Sequence, residues 1–246
     1  MNPKINLAAL EEVDLTNCDR EPIHISGHIQ PHGVLLVVRE PQLEILQLSE
    51  NVQDLLGVNP KSAIGQDLSL LFDEIQLEKL KSCLLNENLK IVNPIKLSVN
   101  KLGQSLDFDC ILHRWAEVLI VELELATTTE NLSVFSFYHS VRATVAKIQS
   151  AKNLNSLCQM TVEEVRKITG FDRVMIYKFD AEDNGAVVAE DKPESYSPFL
   201  GLNYPSSDIP KQARKLYLVN WLRLIPDINY QPVPLLPANN QRAVSF

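Results

Sequence analysis

The residue pattern predicts an α+β protein built from two antiparallel sheets, each with flanking helices. Three observations carry that expectation. Over 117–125, Leu119, Val121, Leu123 and Leu125 alternate with Glu122 and Glu124, the period-2 mark of an antiparallel strand with one buried face. Behind Pro210, which suits a first helical position, Ala213, Leu216, Tyr217, Trp221 and Leu224 recur at near-helical spacing. Between these regions 127–133 (TTTENLS) is polar, Thr-rich and without period, and reads as a linker.

The remaining elements follow in order. Residues 1–16 are weakly patterned, and 17–33, with Pro22, Gly27, Pro31 and Gly33, read as an irregular path. VLLVV (34–38) and LEILQLS (43–49) read as strands joined by a turn at Pro41. A short helix stopped by Gly57 and Pro60 comes next, then an amphipathic helix over 76–85 and strands over 91–99, 105–113 and 117–125. Past the linker, a helix is expected over 134–151. Asn153 is placed to cap a second helix that runs to Thr169 and ends at Gly170. Strands at 173–179 and 185–191 flank a turn through Asp183, Asn184 and Gly185. Gly201, Asn203, Pro205, Ser206 and Ser207 make a loop before the Pro210 helix, with Asp208 where free N–H groups favour a carboxylate. LRLIPDINYQPVPLLP reads as a short strand and then a proline-punctuated loop.

Composition bounds the function. The chain has 246 residues, 45% hydrophobic, enough for one large domain or two ordinary ones with real cores. A net charge of −8 and the absence of a basic run argue against a nucleic-acid or membrane surface. No apolar run is long enough to span a bilayer and the first residues lack a signal-peptide pattern, so a cytoplasmic protein is expected. Cys18, Cys83, Cys110 and Cys158 are widely spaced, which argues against a zinc site or a disulfide scaffold. Cys110 alternates with Leu106, Phe108 and Leu112 and is a core candidate. Cys18 lies in a polar segment beside Asp19, Arg20 and Glu21, where a thiol is accessible. The five histidines form no metal-binding pattern, and no metal is proposed.

Two long stretches carry a resemblance. NCDREPIHISGHIQPHGVLLVV (from Asn17) and YPSSDIPKQARKLYLVNWLRLI (from Tyr204) resemble signature motifs of phytochromes, in the order and at the separation of that family. The resemblance runs from about Leu15 to Pro234. The element order before the linker is that of a PAS domain, and the order after it is how a GAF domain begins. The resemblance therefore implies an N-terminal segment at 1–19, a PAS domain at 20–126, a linker at 127–133 and a partial GAF domain at 134–246. It also implies that the segment around 23–29 threads a lasso from the GAF domain. A lasso starting near Asp227 without a return strand is not expected to close.

The same resemblance implies a photosensory region that binds a linear tetrapyrrole, biliverdin or a related bilin. Cys18 stands at the position of the cysteine that adds to a biliverdin vinyl group, where the thiolate is the nucleophile. Asp208 matches an aspartate whose backbone carbonyl accepts from pyrrole nitrogens, with Ile209 and Pro210 beside it. Tyr217 and Arg223 match residues that hold the bilin propionates, Arg as a fork that fits a carboxylate. Tyr177 and Tyr204 match residues against the ring that isomerises, and Met175 and Ile209 would line the pocket. Family partners would be a second copy in a homodimer and a response regulator, with a histidine kinase output outside this chain. Catalytic activity is not expected. Read from the residues alone, each site position also fits a plainer role in a core or on a surface. The rival readings are a bilin-free PAS–GAF interaction module and an enzyme using Cys18 as nucleophile. The second lacks a partnered His–Asp arrangement.

Overall fold

The computed structural model describes residues 23, 27–101, 103–115, 117–126, 134–220 and 222–238. Cys18 and the expected linker at 127–133 lie outside the described residues. The chain divides into two compact units, one made of 22–128 with 220–246 and the other of 1–21 with 129–219.

The first unit is a seven-stranded antiparallel sheet in the order β1-β10-β3-β2-β6-β5-β4. Its strands are β1 (His28–Ile29), β2 (Gly33–Arg39), β3 (Glu44–Ser49), β4 (Ile95–Lys101), β5 (Gln104–Trp115), β6 (Val118–Leu125) and β10 (Val233–Leu236). The unbroken apolar run of β2 is buried on both faces, as such a run demands. One face carries the main core, including Leu36, Leu48, Phe108, Leu112 and Leu123, packed under the helices. Helix α1 (Val52–Leu56) stops where Gly57 takes a left-handed φ of 78°. Helix α2 (Pro60–Ala63) starts under the Asn59 side chain, and α3 (Glu74–Leu84) under Asp73, which accepts from the Gln76 N–H. Strand β4 starts later than expected. The Asn88 side chain caps a 3-10 turn at Leu89–Ile91, and Asn93 then bonds both the N–H and the carbonyl of Leu112.

Two expectations need correction here. Strand β6 is not half-buried: Val118 and Ile120 on its second face are buried with Leu35, Val37 and Leu235 in a smaller cluster. What covers them belongs to the proline-rich segment, and that is the second correction. The strand of this segment is not at its start but at Val233–Leu236, so a strand does follow Asp227. It lies between β1 and β3, pairing Ile29 with Val233 and Ser49 with Leu235. Pro234 has no N–H to give, but its carbonyl accepts from Glu50 at 3.0 Å, and the Leu235 N–H reaches Gly27 at 3.0 Å.

The second unit holds helices α4 (Val134–Gln149), α5 (Leu154–Thr169) and α6 (Lys211–Val219), and a sheet in the order β7-β8-β9. Its strands are β7 (Val174–Phe179), β8 (Gly185–Asp191) and β9 (Asn203–Tyr204). Asn153 caps α5 in a reciprocal box with Ser156, and Gly170 closes the helix at φ 72°. Helix α5 seats Val162 in the interior and pairs Arg166 with Asp191 of β8 at 3.3 Å. Glu164 links α5 to α4 through Lys147 at 2.7 Å. Lys147 and Lys167 hold its carboxyl down to about 2.

Candidate functional site

Every described site candidate after residue 170 except Arg223 sits in the second unit, and one end of its sheet gathers most of them. Tyr177 is on β7 and Tyr204 on β9, with β8 between them. A register shift at Ile176/Tyr177 breaks the simple pairing of β7 with β8. Gly185 opens β8 and is the cross-strand partner of both Phe179 and Tyr204. A Cβ on Gly185 would lie 1.9 Å from Cζ of Tyr177, so the tyrosine ring rests directly on that bare backbone. The Tyr177 ring meets Tyr204 at 5.8 Å, tilted by 42°, and Phe179 edge-on at 5.1 Å. Burial pushes the Tyr177 hydroxyl up, and the negative charge of Asp208, then Tyr204 and Tyr217, push it further. Tyr177, Tyr204, Asp208 and Tyr217 therefore share one neighbourhood.

The loop that carries Asp208 is held by polar contacts rather than by a core. The Asp208 N–H donates to the Pro205 carbonyl at 3.0 Å. Asn184 accepts from the Ser206 N–H at 3.1 Å. Arg214 of α6 donates to the Ser206 carbonyl at 2.9 Å, to the Ile209 carbonyl, and to Asp183 at 3.0 Å. The Arg214 side chain is only 12% exposed. Asp208 itself is exposed, while Ile209 and Pro210 are half-buried.

Tyr217 lines a cavity of about 520 Å³ with Phe179, Asp183, Lys211, Arg214, Lys215 and Leu218. Arg214 is paired with Asp183, which leaves Lys211 and Lys215 as the cationic side chains beside the tyrosine, a setting that favours a carboxylate. Met175 is 40% exposed on β7, opposite Glu190. Glu190 is buried and accepts from the N–H groups of Phe199 (2.9 Å) and Leu200 (3.0 Å). Arg173 pairs with it at 3.3 Å and lies over the Phe199 ring. Arg223 is exposed, in the segment that clusters with the first unit.

Sequence reasoning missed Gly185, Asp183, Asn184 and Arg214 as parts of this site. The turn at 183–185 was legible as a turn, but nothing in a turn motif tells which side chains it meets. Among the described residues no group of three or more His, Cys, Asp or Glu is placed to hold a metal, and no helix is long and apolar enough to cross a membrane.

Residues 18–126 match the PAS fold. That match and the antiparallel sheets with flanking helices define a PAS protein followed by a second α+β unit with a tyrosine-lined sheet end. The chain is 52% identical over 93% of its length to cyanobacterial phytochrome B of Nostoc sp.. It is 40% identical over 95% of its length to a bacteriophytochrome of Pseudomonas aeruginosa. It spans about 30% of the length of these curated relatives. Among solved structures, the chromophore-binding domain of Stigmatella aurantiaca phytochrome P1 superposes with a TM-score of 0.86 at 44% identity, covering 94% of this chain and 78% of that one. The chromophore-binding domain of a bacteriophytochrome from R. palustris does so with 0.85 at 40% identity, covering 94% and 75%. The chain belongs to the phytochrome family.

Proposed function

We propose that this chain is the photosensory region of a phytochrome-type light receptor and takes a linear tetrapyrrole. The observation that carries this reading is the convergence of Tyr177, Tyr204, Asp208 and Tyr217 at one end of the second sheet. The residues present fit such a group. Tyrosine rings suit the face and edge of a flat conjugated molecule. The cationic cavity beside Tyr217 suits its carboxylates. The glycine floor under Tyr177 suits a tightly defined ring position. When bound, a bilin supplies visible absorption and a double bond that isomerises in light.

The chain's own residues would divide the remaining work. The Asp208 backbone carbonyl would accept from the pyrrole nitrogens and so favour their protonated form. Tyr217 and Arg223 would hold propionates, with Lys211 and Lys215 adding positive field near Tyr217. Tyr177, Tyr204 and Met175 would bound the moving ring, and Ile209 and Pro210 would exclude water from it. Cys18 would make the covalent link to biliverdin. The assignment of 20–126 as PAS, 127–133 as linker and 134–246 as GAF, with the last part of that GAF segment, 220–246, clustering with the first unit, a cytoplasmic site of action, a homodimer, and a histidine kinase output acting on a response regulator belong to the same reading. The chain itself would catalyse no reaction.

The test is to add biliverdin to the purified chain, record the visible spectrum before and after red light, and examine a denaturing gel for zinc-dependent fluorescence. A red-shifted band, a reversible light-driven change and gel fluorescence lost in Cys18→Ser are the expected results. Unshifted pigment and a dark gel would overturn the reading and leave an interaction module without pigment.

A further inference from the structure

Three consecutive residues, Asp183 and Asn184 of the turn before β8 and Gly185 that opens the strand, each touch a different part of the candidate site. Asp183 takes the Arg214 guanidinium at 3.0 Å. Asn184 takes the Ser206 N–H at 3.1 Å. Gly185 lies under the Tyr177 ring. The turn is itself braced: Asp180 accepts from the N–H groups of Glu182 (3.0 Å) and Asn184 (2.8 Å). Asp183 has a φ of 68°, a left-handed conformation that Asp tolerates better than most residues but that still has a cost. A positive φ kept at a residue whose carboxylate is used elsewhere is a constraint set by the surroundings.

Arg214 completes the arrangement. Its guanidinium reaches carbonyls on both sides of Asp208, those of Ser206 and Ile209, and its charge is matched by Asp183. A planar fork with several donors can hold two carbonyls and a carboxylate in fixed relation, which an ammonium cannot. The geometry points to a clamp made of Asp183, Asn184 and Arg214 that positions the Asp208 carbonyl against the pyrrole nitrogens, with Gly185 setting the Tyr177 ring in the same register. These are positioning residues, not binding residues. The inference rests on the bilin reading above, and deepens it.

The experiment has two arms on the full chain. The first needs no pigment: amide hydrogen exchange at Ser206 and Asp208. Arg214→Ala and Asp183→Asn are expected to speed exchange at both amides by about tenfold or more, while amides of β2 and α3 keep their rates. Wild-type rates at both amides in Arg214→Ala would sink the clamp. The second arm adds biliverdin and titrates the red band towards alkaline pH. In the variants the bleaching midpoint is expected to fall by about one pH unit, because a wandering carbonyl no longer favours the protonated pyrroles. Arg214→Lys, which keeps the charge and loses the fork, is expected to fall between the two.

A looser loop with an unchanged midpoint would reduce the clamp to a brace and overturn the inference. If Arg214→Ala does not fold, Asp183→Asn and Asn184→Ala carry the same readouts. A wild-type chain that takes up no pigment fails the bilin reading, and the exchange arm still decides whether the turn and Arg214 hold the loop.

Discussion

Gly185 is the residue at which a single added carbon has the clearest consequence. The atom would overlap the Tyr177 ring at 1.9 Å, so the ring must leave its place. Gly185→Ala is expected to cost about 1–3 kcal/mol, read by chemical denaturation. The same variant should broaden or shift the red band of added biliverdin. Cys110 offers a different check. Burial first, then the neighbouring Cys83 and Glu122, push its thiol up to about 12. It should therefore resist an alkylating reagent at pH 8 in the folded chain and react once the chain is denatured. Glu122 and His113 face each other at 3.3 Å on neighbouring strands. Burial, and then Glu124, raises the Glu122 carboxyl, so the folded chain binds its proton more tightly than the unfolded chain. That contribution to stability is lost as pH rises from the ordinary carboxylate value through the raised one. His113 is lowered by burial, so its contribution runs the other way: stability is gained as pH rises from the lowered value towards 6.5. Denaturation midpoints of Glu122→Gln and of wild type between pH 4 and pH 7 should diverge in that sense.

The helices and strands were mostly legible because their signals are local. Helix α5 is the clearest case: Asn153 at one end, Gly170 at the other, and an apolar stripe between them agree with its observed bounds. Asn153→Ala should cost about 1 kcal/mol, measured by denaturation, because it removes the cap on the Ser156 N–H. Strand β8 falls at the expected residues, since Gly185 and the turn before it punctuate the apolar run. The failures are equally instructive. Glu122 and Glu124 made β6 look solvated on one face, but the neighbouring Val118 and Ile120 on that strand are covered by Leu235, far away in the chain. Strand β10 itself was misplaced because Pro232 and Pro237 flank it and Pro234 lies within it, and propensity demotes such a run. At the site, the aromatic and Asp208 positions could be read from the motif. The clamp could not: Arg214 looks like any helix surface arginine until the fold brings Asp183 and two carbonyls to it.

Taken as a whole, the chain does not follow the simple rule of one domain before the linker and one after. Residues 220–246 cluster with 22–128, and the first sheet holds a strand from each end of the sequence. Leu235→Ala should therefore damage the first unit, although residue 235 follows the second in sequence. A loss of about 2–3 kcal/mol is expected for a buried leucine. Hydrogen exchange should locate that loss in β2 and β3 and leave α5 and β8 protected. Uniform loss across both units would show that they unfold together instead.

The pairing of β10 with β3 also imposes a schedule on the nascent chain. Gln47 donates to the Pro237 carbonyl across 190 residues. A ribosome adding about 5–20 residues per second needs roughly 10–40 s to make that stretch. During that wait the edge of β3 has no partner on its β10 side, and Leu35, Val37 and Ile120 lack the Leu235 cover they have in the finished fold. An open strand edge beside bare apolar residues invites pairing with other chains. Slow synthesis or crowded expression should therefore penalise yield through this edge, and a chaperone that shields it should restore soluble protein.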